Sequence, residues 1–140
     1  MSAVMDSTKH WTSYTVPGIW SFPEHQKITH ALRVGNTVYI SGQTARGLEG
    51  EAEGGSDVEA QGMAIWRHIE TVLAAAGATL DDVVKVFQFV VGEENFPAMT
   101  RARKAALGES KLRAITSVVV AGLARPDLLL EVDVIAVVPD

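Results

Sequence analysis

The chain is predicted to be an α+β protein, a mixed β-sheet with two helices packed on one face. Three observations predict it. Hydrophobic periodicity gives the order strand, strand, helix, strand, helix, strand, strand, which does not alternate strictly and so excludes a doubly wound sheet. Two amphipathic helices can cover only one face of that sheet. The closing run LLLEVDVIAVV, residues 128–138, is apolar on both faces, with Leu129, Ile135 and Val137 on one and Leu128, Leu130, Val132 and Val134 on the other. The second face therefore needs a cover, and another subunit is the natural one.

The elements follow in order. Residues 1–27 are expected to be an irregular arm, because Pro17, Gly18 and Pro23 interrupt regular structure. The arm carries Trp11, Tyr14, Trp20 and Phe22, four of the nine aromatics, so it is expected to pack on the body or a neighbouring subunit, or to wall a cleft. Residues 28–140 are expected to be a single domain. In THALRVGNTVYISGQ, two β-type runs flank the turn pair Gly35-Asn36, the pattern of a hairpin. The Gly-rich, acidic run Ala45 to Asp57 reads as a mobile loop with solvated glutamates. A helix follows, with Ile65, Ile69, Val72 and Ala76 at three- and four-residue spacing, Asp57 or Ser56 as N-cap and Gly77 at the end. VVKVFQFVV, residues 83–91, reads as a buried strand. A second helix is expected from Asn95 to Leu107, closed by Gly108, and then strands at 115–121 and 128–138, joined by GLARPD.

Composition narrows the function classes. At 140 residues with 47% hydrophobic content, the chain can bury a substantial core. A net charge of −5 and the lack of a basic cluster argue against nucleic acid or an anionic membrane as partner. No cysteine is present, which excludes a thiolate metal site or nucleophile and fits a reducing, cytoplasmic setting. No secretory signal pattern and no apolar run of membrane-spanning length is seen. His10, His25 and His68 show no ligand spacing, so no metal site is expected. No phosphate-cradling glycine loop or nucleophile elbow occurs.

Glu131 and Asp133 stand in the most apolar run of the chain. A carboxylate in such a strand is costly, so it has a partner, a raised pKa or a chemical role. The two are separated by two residues and share a face.

SGQ at 41–43, AQGMAIWRHIETVLAAAGATLDDVVKVFQFV at 60–90 and the closing LLLEVDVIAV resemble the RidA (YjgF) family of enamine/imine deaminases, and HALRVGNTVYISGQ resembles that family's opening hairpin. The similarity spans roughly residues 29–138. It implies a chorismate-mutase-like fold and a homotrimer whose sheets meet at the centre. It further implies a small-molecule ligand in each inter-subunit cleft, without metal or cofactor. In active members an Arg clamps the substrate carboxylate, and a Glu near the chain end handles the water that attacks the C=N carbon and releases ammonia. A guanidinium suits the first task because its planar fork pairs bidentately with carboxylate. A carboxylate suits the second because it can take and return a proton.

The resemblance puts the water-handling acid at Glu131 and the clamp at Ile115, which carries no charge. Arg113 lies on the same strand face two residues earlier, so it is either a displaced clamp or an exposed residue at the strand entrance. The family's frequent Tyr before the first strand falls on Ile28, its Ser on Thr29, and its Asn at the second helix on Thr100. His30 aligns beside the pocket hydroxyl, where it either contacts substrate or sits on the sheet without a role. The expected substrate-binding set is therefore Arg113, Ile115, Thr29 and His30, with Glu131 catalytic. Two readings follow. One is hydrolytic deamination of an enamine or imine, larger or ring-derived. The other is a non-catalytic trimer that binds a metabolite or partner protein in the same clefts.

Overall fold

The computed structural model of the chain describes residues 3–7 and 10–140. Its elements are β1 (Val4–Ser7), β2 (Thr12–Thr15), β3 (Ala31–Val34), β4 (Thr37–Ile40), β5 (Gln43–Thr44), α1 (Val58–Ala75), β6 (Val83–Val91), α2 (Phe96–Leu107), β7 (Ala114–Val120) and β8 (Leu130–Val137). The strands form one sheet in the order β1-β2-β3-β4-β8-β6-β7, with β5 also paired to β8. Every pairing is antiparallel except β6 with β7. This is the mixed sheet and two-helix arrangement that the periodicity predicts.

Local signals explain the boundaries. Asp57 caps α1 by accepting from the Ala60 N–H at 3.1 Å. The helix stops at Ala75, just before Gly77. Thr79 and Asp82 then form a capping box on the short turn that leads into β6. Asn95 and Pro97 start α2, and Gly108 follows its end, its N–H donating to the Lys104 carbonyl.

The core lies between the helices and one sheet face. Leu130, Val132, Val134 and Ala136 of β8 are all buried there, with Val86 and Val90 of β6 and Val38 and Ile40 of β4. They meet Ile65, Ile69, Val72 and Leu73 of α1 and Met99 and Ala102 of α2. The helices touch closely at Gly62: a Cβ there would stand 2.5 Å from that of Ala102, so no larger residue fits without parting them. The other face carries Tyr39, Lys85, Phe87, Phe89, Glu131, Asp133 and Ile135, none of them buried. Beyond it the edge strand β7 exposes Ile115, Val118 and Val119.

Two expectations need correction. The arm is not irregular throughout. β1 pairs with β2, and β2 pairs with β3 through Thr12–Arg33, Ser13–Leu32 and Tyr14–Ala31, so the sheet runs across the expected boundary between residues 27 and 28. Short polar strands such as TSYT carry almost no periodic signal, and the backbone of β3 supplies their hydrogen bonds. Nor is the run from Ala45 to Asp57 simply a solvated loop. Ala45 is fully buried, Arg46 bridges to Ala52, and Glu53 N–H donates to the Ala45 carbonyl at 2.6 Å. Arg125 holds the Gly50 carbonyl, and buried Gln61 donates to the carbonyls of Gly55 and Asp127 while accepting from the Leu129 N–H. Glycines here serve a tight fold rather than mobility.

Candidate functional site

The sheet opens beside β8. β4 pairs with the later part of β8, where Tyr39 faces Ile135. The chain then steps through Ser41-Gly42, and β5 returns to the same strand, with Gln43 opposite Val132 and Thr44 opposite Glu131. A pocket lies at this step. Its floor and sides are Thr29, His30, Ser41, Gly42, Gln43 and Glu131, and His68 reaches it from α1. Its apolar wall is Ile19, Trp20, Phe22 and Ile28 from the arm, with Leu128 opposite. Trp20 and Phe22 pack edge to face at 4.8 Å, which stiffens that wall. Two of the arm aromatics, Trp20 and Phe22, therefore wall the cleft, whereas Tyr14 packs into the core of the body, so both options open in the sequence are taken.

Glu131 is half-buried, and among the described residues no hydrogen bond or ion pair reaches its carboxylate. Burial raises its pKa above the ordinary value, and the neighbouring Asp133 charge raises it further. Its side chain lies directly over Gly42: a Cβ there would stand 2.6 Å from Oε2 and 2.9 Å from Cδ. The missing side chain is what leaves room for the carboxylate. Asp133 is also raised by burial, partly offset by Lys85. Among the described residues no hydrogen bond or ion pair holds the Asp133 carboxylate; the Lys85 ammonium acts on it only through its charge and donates to the Thr116 hydroxyl at 2.8 Å.

Thr29 and His30 join Glu131 in the pocket, but both are also structural ties. Thr29 Oγ1 donates to the Tyr14 carbonyl at 2.7 Å, so what it offers the pocket is an acceptor. His30 Nδ1 accepts from the Val16 N–H at 2.9 Å, and Nε2 faces the Trp20 carbonyl at 3.0 Å. Those partners require the neutral Nε2–H tautomer. Burial lowers the His30 pKa, against the effect of the Trp20 carbonyl, and nearby His68 adds to the lowering. Its two nitrogens hold the arm in place rather than a ligand.

Arg113 and Ile115 are not brought to this pocket within the chain. Arg113 Nε donates to the Val83 carbonyl at 2.9 Å and Nη2 to the Leu80 carbonyl at 3.4 Å. With Ile115 it borders a different hollow, beside Arg103, Lys104 and Leu107 of α2. Along the sheet, Ile115 pairs with Val86 whereas Glu131 pairs with Phe89, and the two side chains lie on opposite faces.

Two pocket residues escaped the sequence reading. Arg46 lines the pocket with its guanidinium 3.8 Å from the Trp20 ring centroid. Its signal was parity: Arg46 is two residues beyond Thr44, the partner of Glu131, and so shares that side in extended chain. His68, nine-tenths buried, donates its Nε2–H to Glu53 Oε1 at 3.2 Å, and its Nδ1 is buried without a partner. Among the described residues no group of three His, Cys, Asp or Glu side chains is arranged to hold a metal ion, and no helix is long and apolar enough to cross a membrane.

Residues 23–138 match the Ribonuc_L-PSP family, described as endoribonuclease L-PSP. A RutC family protein of Pyrococcus abyssi is 35% identical over 109 residues, 77% of this chain and 84% of the relative. The 2-iminobutanoate/2-iminopropanoate deaminase of Dermatophagoides farinae is 32% identical over 76 residues, 54% of this chain and 59% of that protein. The crystal structure of RidA from an Antarctic Psychrobacter superposes with a TM-score of 0.75 at 30% identity, covering 86% of this chain and 94% of that one. With an α+β fold that follows from its own periodicity, and a match that runs from the arm through the last strand, the chain belongs to the RidA/YjgF (L-PSP, RutC) family.

Proposed function

We propose that the chain is a hydrolytic deaminase of a small-molecule enamine or imine, with Glu131 handling the attacking water. The observation that carries this is a carboxylate of raised pKa, free of protein partners among the described residues, at the open step of the sheet. A more basic carboxylate takes a water proton more readily. Water adds to the C=N carbon as Glu131 accepts its proton. The same proton then passes to the nitrogen of the tetrahedral adduct. Glu131 then takes the hydroxyl proton as the C=O bond forms and the C–N bond breaks, and the departing ammonia carries that proton away as ammonium. An enamine enters the same sequence after protonation at carbon. Thr29 Oγ1 supplies an acceptor for the iminium N–H, and the wall of Trp20, Phe22 and Ile28 takes an apolar, ring-sized body.

The uncovered sheet face, with Phe87, Phe89 and Ile135, and the apolar edge at Val118 and Val119 support a homotrimer as the working form. In that assembly the edge strand with Ile115 would lie beside a neighbouring subunit, while Arg113 stays tied to the Val83 and Leu80 carbonyls. The net charge of −5 does not suit a polyanionic substrate, so the small molecule is preferred to RNA. The other reading, a binding protein without turnover, is favoured by one observation, the uncharged Ile115 where the resemblance places the clamp.

One preparation tests the reading. Light scattering is expected to give about 45 kDa, three chains of 15.0 kDa. Ammonia release from imines generated in situ is expected to exceed buffer and to fall about 10²–10⁴-fold in Glu131→Gln. A monomer overturns the trimer. Release no faster than buffer across small and aromatic-bodied imines overturns the enzyme and leaves the binding protein.

A further inference from the structure

We propose that Arg46 is the carboxylate-binding residue of this pocket, and that the ligand is an imino or enamino acid with an apolar body. The proposal rests on the deaminase reading for its chemistry, but its binding claim stands apart from turnover. Three observations carry it.

Arg46 has no partner for its charge. Among the described residues no hydrogen bond or ion pair engages its guanidinium, and its Nε is buried without an acceptor. Five other arginines are committed: Arg33 to the Ala76 carbonyl, Arg67 to Glu53, Arg101 to Glu59, Arg113 to Val83 and Leu80, Arg125 to Asp127; Arg103 also has a buried, unpartnered Nε, but it borders the other hollow, away from Glu131. A buried donor left unsatisfied is costly, and a ligand oxygen relieves that cost.

Its orientation is already fixed. The stack on Trp20, at 3.8 Å, occupies one face of the guanidinium. The N–H groups lie in the plane, and those of Nη1 and Nη2 engage no acceptor among the described residues, which leaves an edge of the kind a carboxylate pairs with bidentately. Trp20 is in turn tied through its carbonyl to His30, so the arm holds the clamp in position before any ligand arrives.

The charges of the pocket then dictate the pose. Glu131 and Arg46 line one pocket without forming an ion pair. A ligand carboxylate is repelled by Glu131 and attracted to Arg46, so an imino acid enters with its acid group on Arg46 and its C=N carbon turned towards Glu131. Ile19, Phe22 and Leu128 receive the side chain. Arg46 thus supplies from β5's continuation what Ile115 does not.

The test uses the full chain and two ligands of one shape. Phenylpyruvate is the 2-oxo acid that hydrolysis of the corresponding imino acid would release; phenylacetone carries methyl in place of its carboxylate. Calorimetry is expected to show wild-type protein preferring phenylpyruvate. Arg46→Met, which keeps an apolar stem against Trp20, is expected to lose about 10- to 100-fold in phenylpyruvate affinity with little change for phenylacetone. Arg46→Lys is expected to recover part of the loss, which a folding defect would not allow. In turnover, Arg46→Met raises KM for carboxylated imines and not for neutral ones. Equal affinity of wild type and Arg46→Met for phenylpyruvate, or no binding of it by wild type, overturns the proposal. If ammonia is still released from neutral imines in that case, the deaminase reading survives it. If phenylpyruvate binds through Arg46 but no imine is turned over, the clamp stands and the enzyme falls.

Discussion

Arg46 and Arg113 are both partly buried arginines beside hollows of the surface, yet they do opposite things with their donors. Arg113 spends Nε and Nη2 on the carbonyls of Val83 and Leu80, where the chain enters β6. Arg46 is stacked on Trp20, and its guanidinium forms no hydrogen bond or ion pair among the described residues. Arg113 lies close in sequence to the position where the family resemblance puts a clamp; Arg46 does not. The difference teaches that a charge is available for a ligand only when the fold leaves it unpaired. Proximity in the alignment says little about that.

The comparison can be broken or sharpened at three places. The largest effect is expected at Gly42, whose missing side chain leaves room for Glu131. Gly42→Ala would press a methyl against the carboxylate, and because the end of a glutamate side chain can swing aside, the fold survives. Ammonia release is expected to fall about 100-fold with an almost unchanged melting temperature. A variant as active as wild type would mean that the position of Glu131 over Gly42 is irrelevant.

Next comes Arg113→Met. Losing its two carbonyl contacts should cost about 1–2 kcal/mol in urea unfolding while phenylpyruvate affinity holds. If affinity collapses and stability does not, Arg113 reaches a cleft from a neighbouring subunit, and the contrast between the two arginines fails.

The smallest change is expected from Asp133→Asn. The Asp133 charge helps to keep the Glu131 pKa high. Removing it eases ionisation of Glu131, and because the proposed mechanism uses Glu131 as the carboxylate, the acid limb of the kcat/KM profile should move to lower pH. A limb that stays in place assigns it to another group.

Much of the fold was legible in the residues because its signals are local. Asp57 before an amphipathic run, Gly77 and Gly108 beyond helix ends, and the apolar β8 pattern each depend on the element's own periodicity. β1 and β2 were not legible, because TSYT becomes a strand only through the backbone of β3. Within the site, Glu131 stood out as a carboxylate among leucines and valines. Arg46 did not, since the glycines that follow it read as a loop and hid the alternation that puts it on the Thr44 side. His30 looked like a pocket group, and only its two backbone partners reveal it as a tie.

That tie has a consequence for how the protein can change. The arm is joined to the body through backbone pairing of β2 with β3 and through His30, which grips Val16 and Trp20 by main-chain atoms alone. None of these bonds reads the side chains at 19, 20 or 22. These bonds are thus indifferent to the side chains that line the pocket from the arm, while Glu131, the acid proposed to handle water, sits on a different strand in the middle of the sheet. Such a division makes the exposed wall positions Phe22 and Ile28 exchangeable specificity positions, open to redesign for ligands of another shape, while the core holds Val16 and Ile19 and the stack with Arg46 holds Trp20.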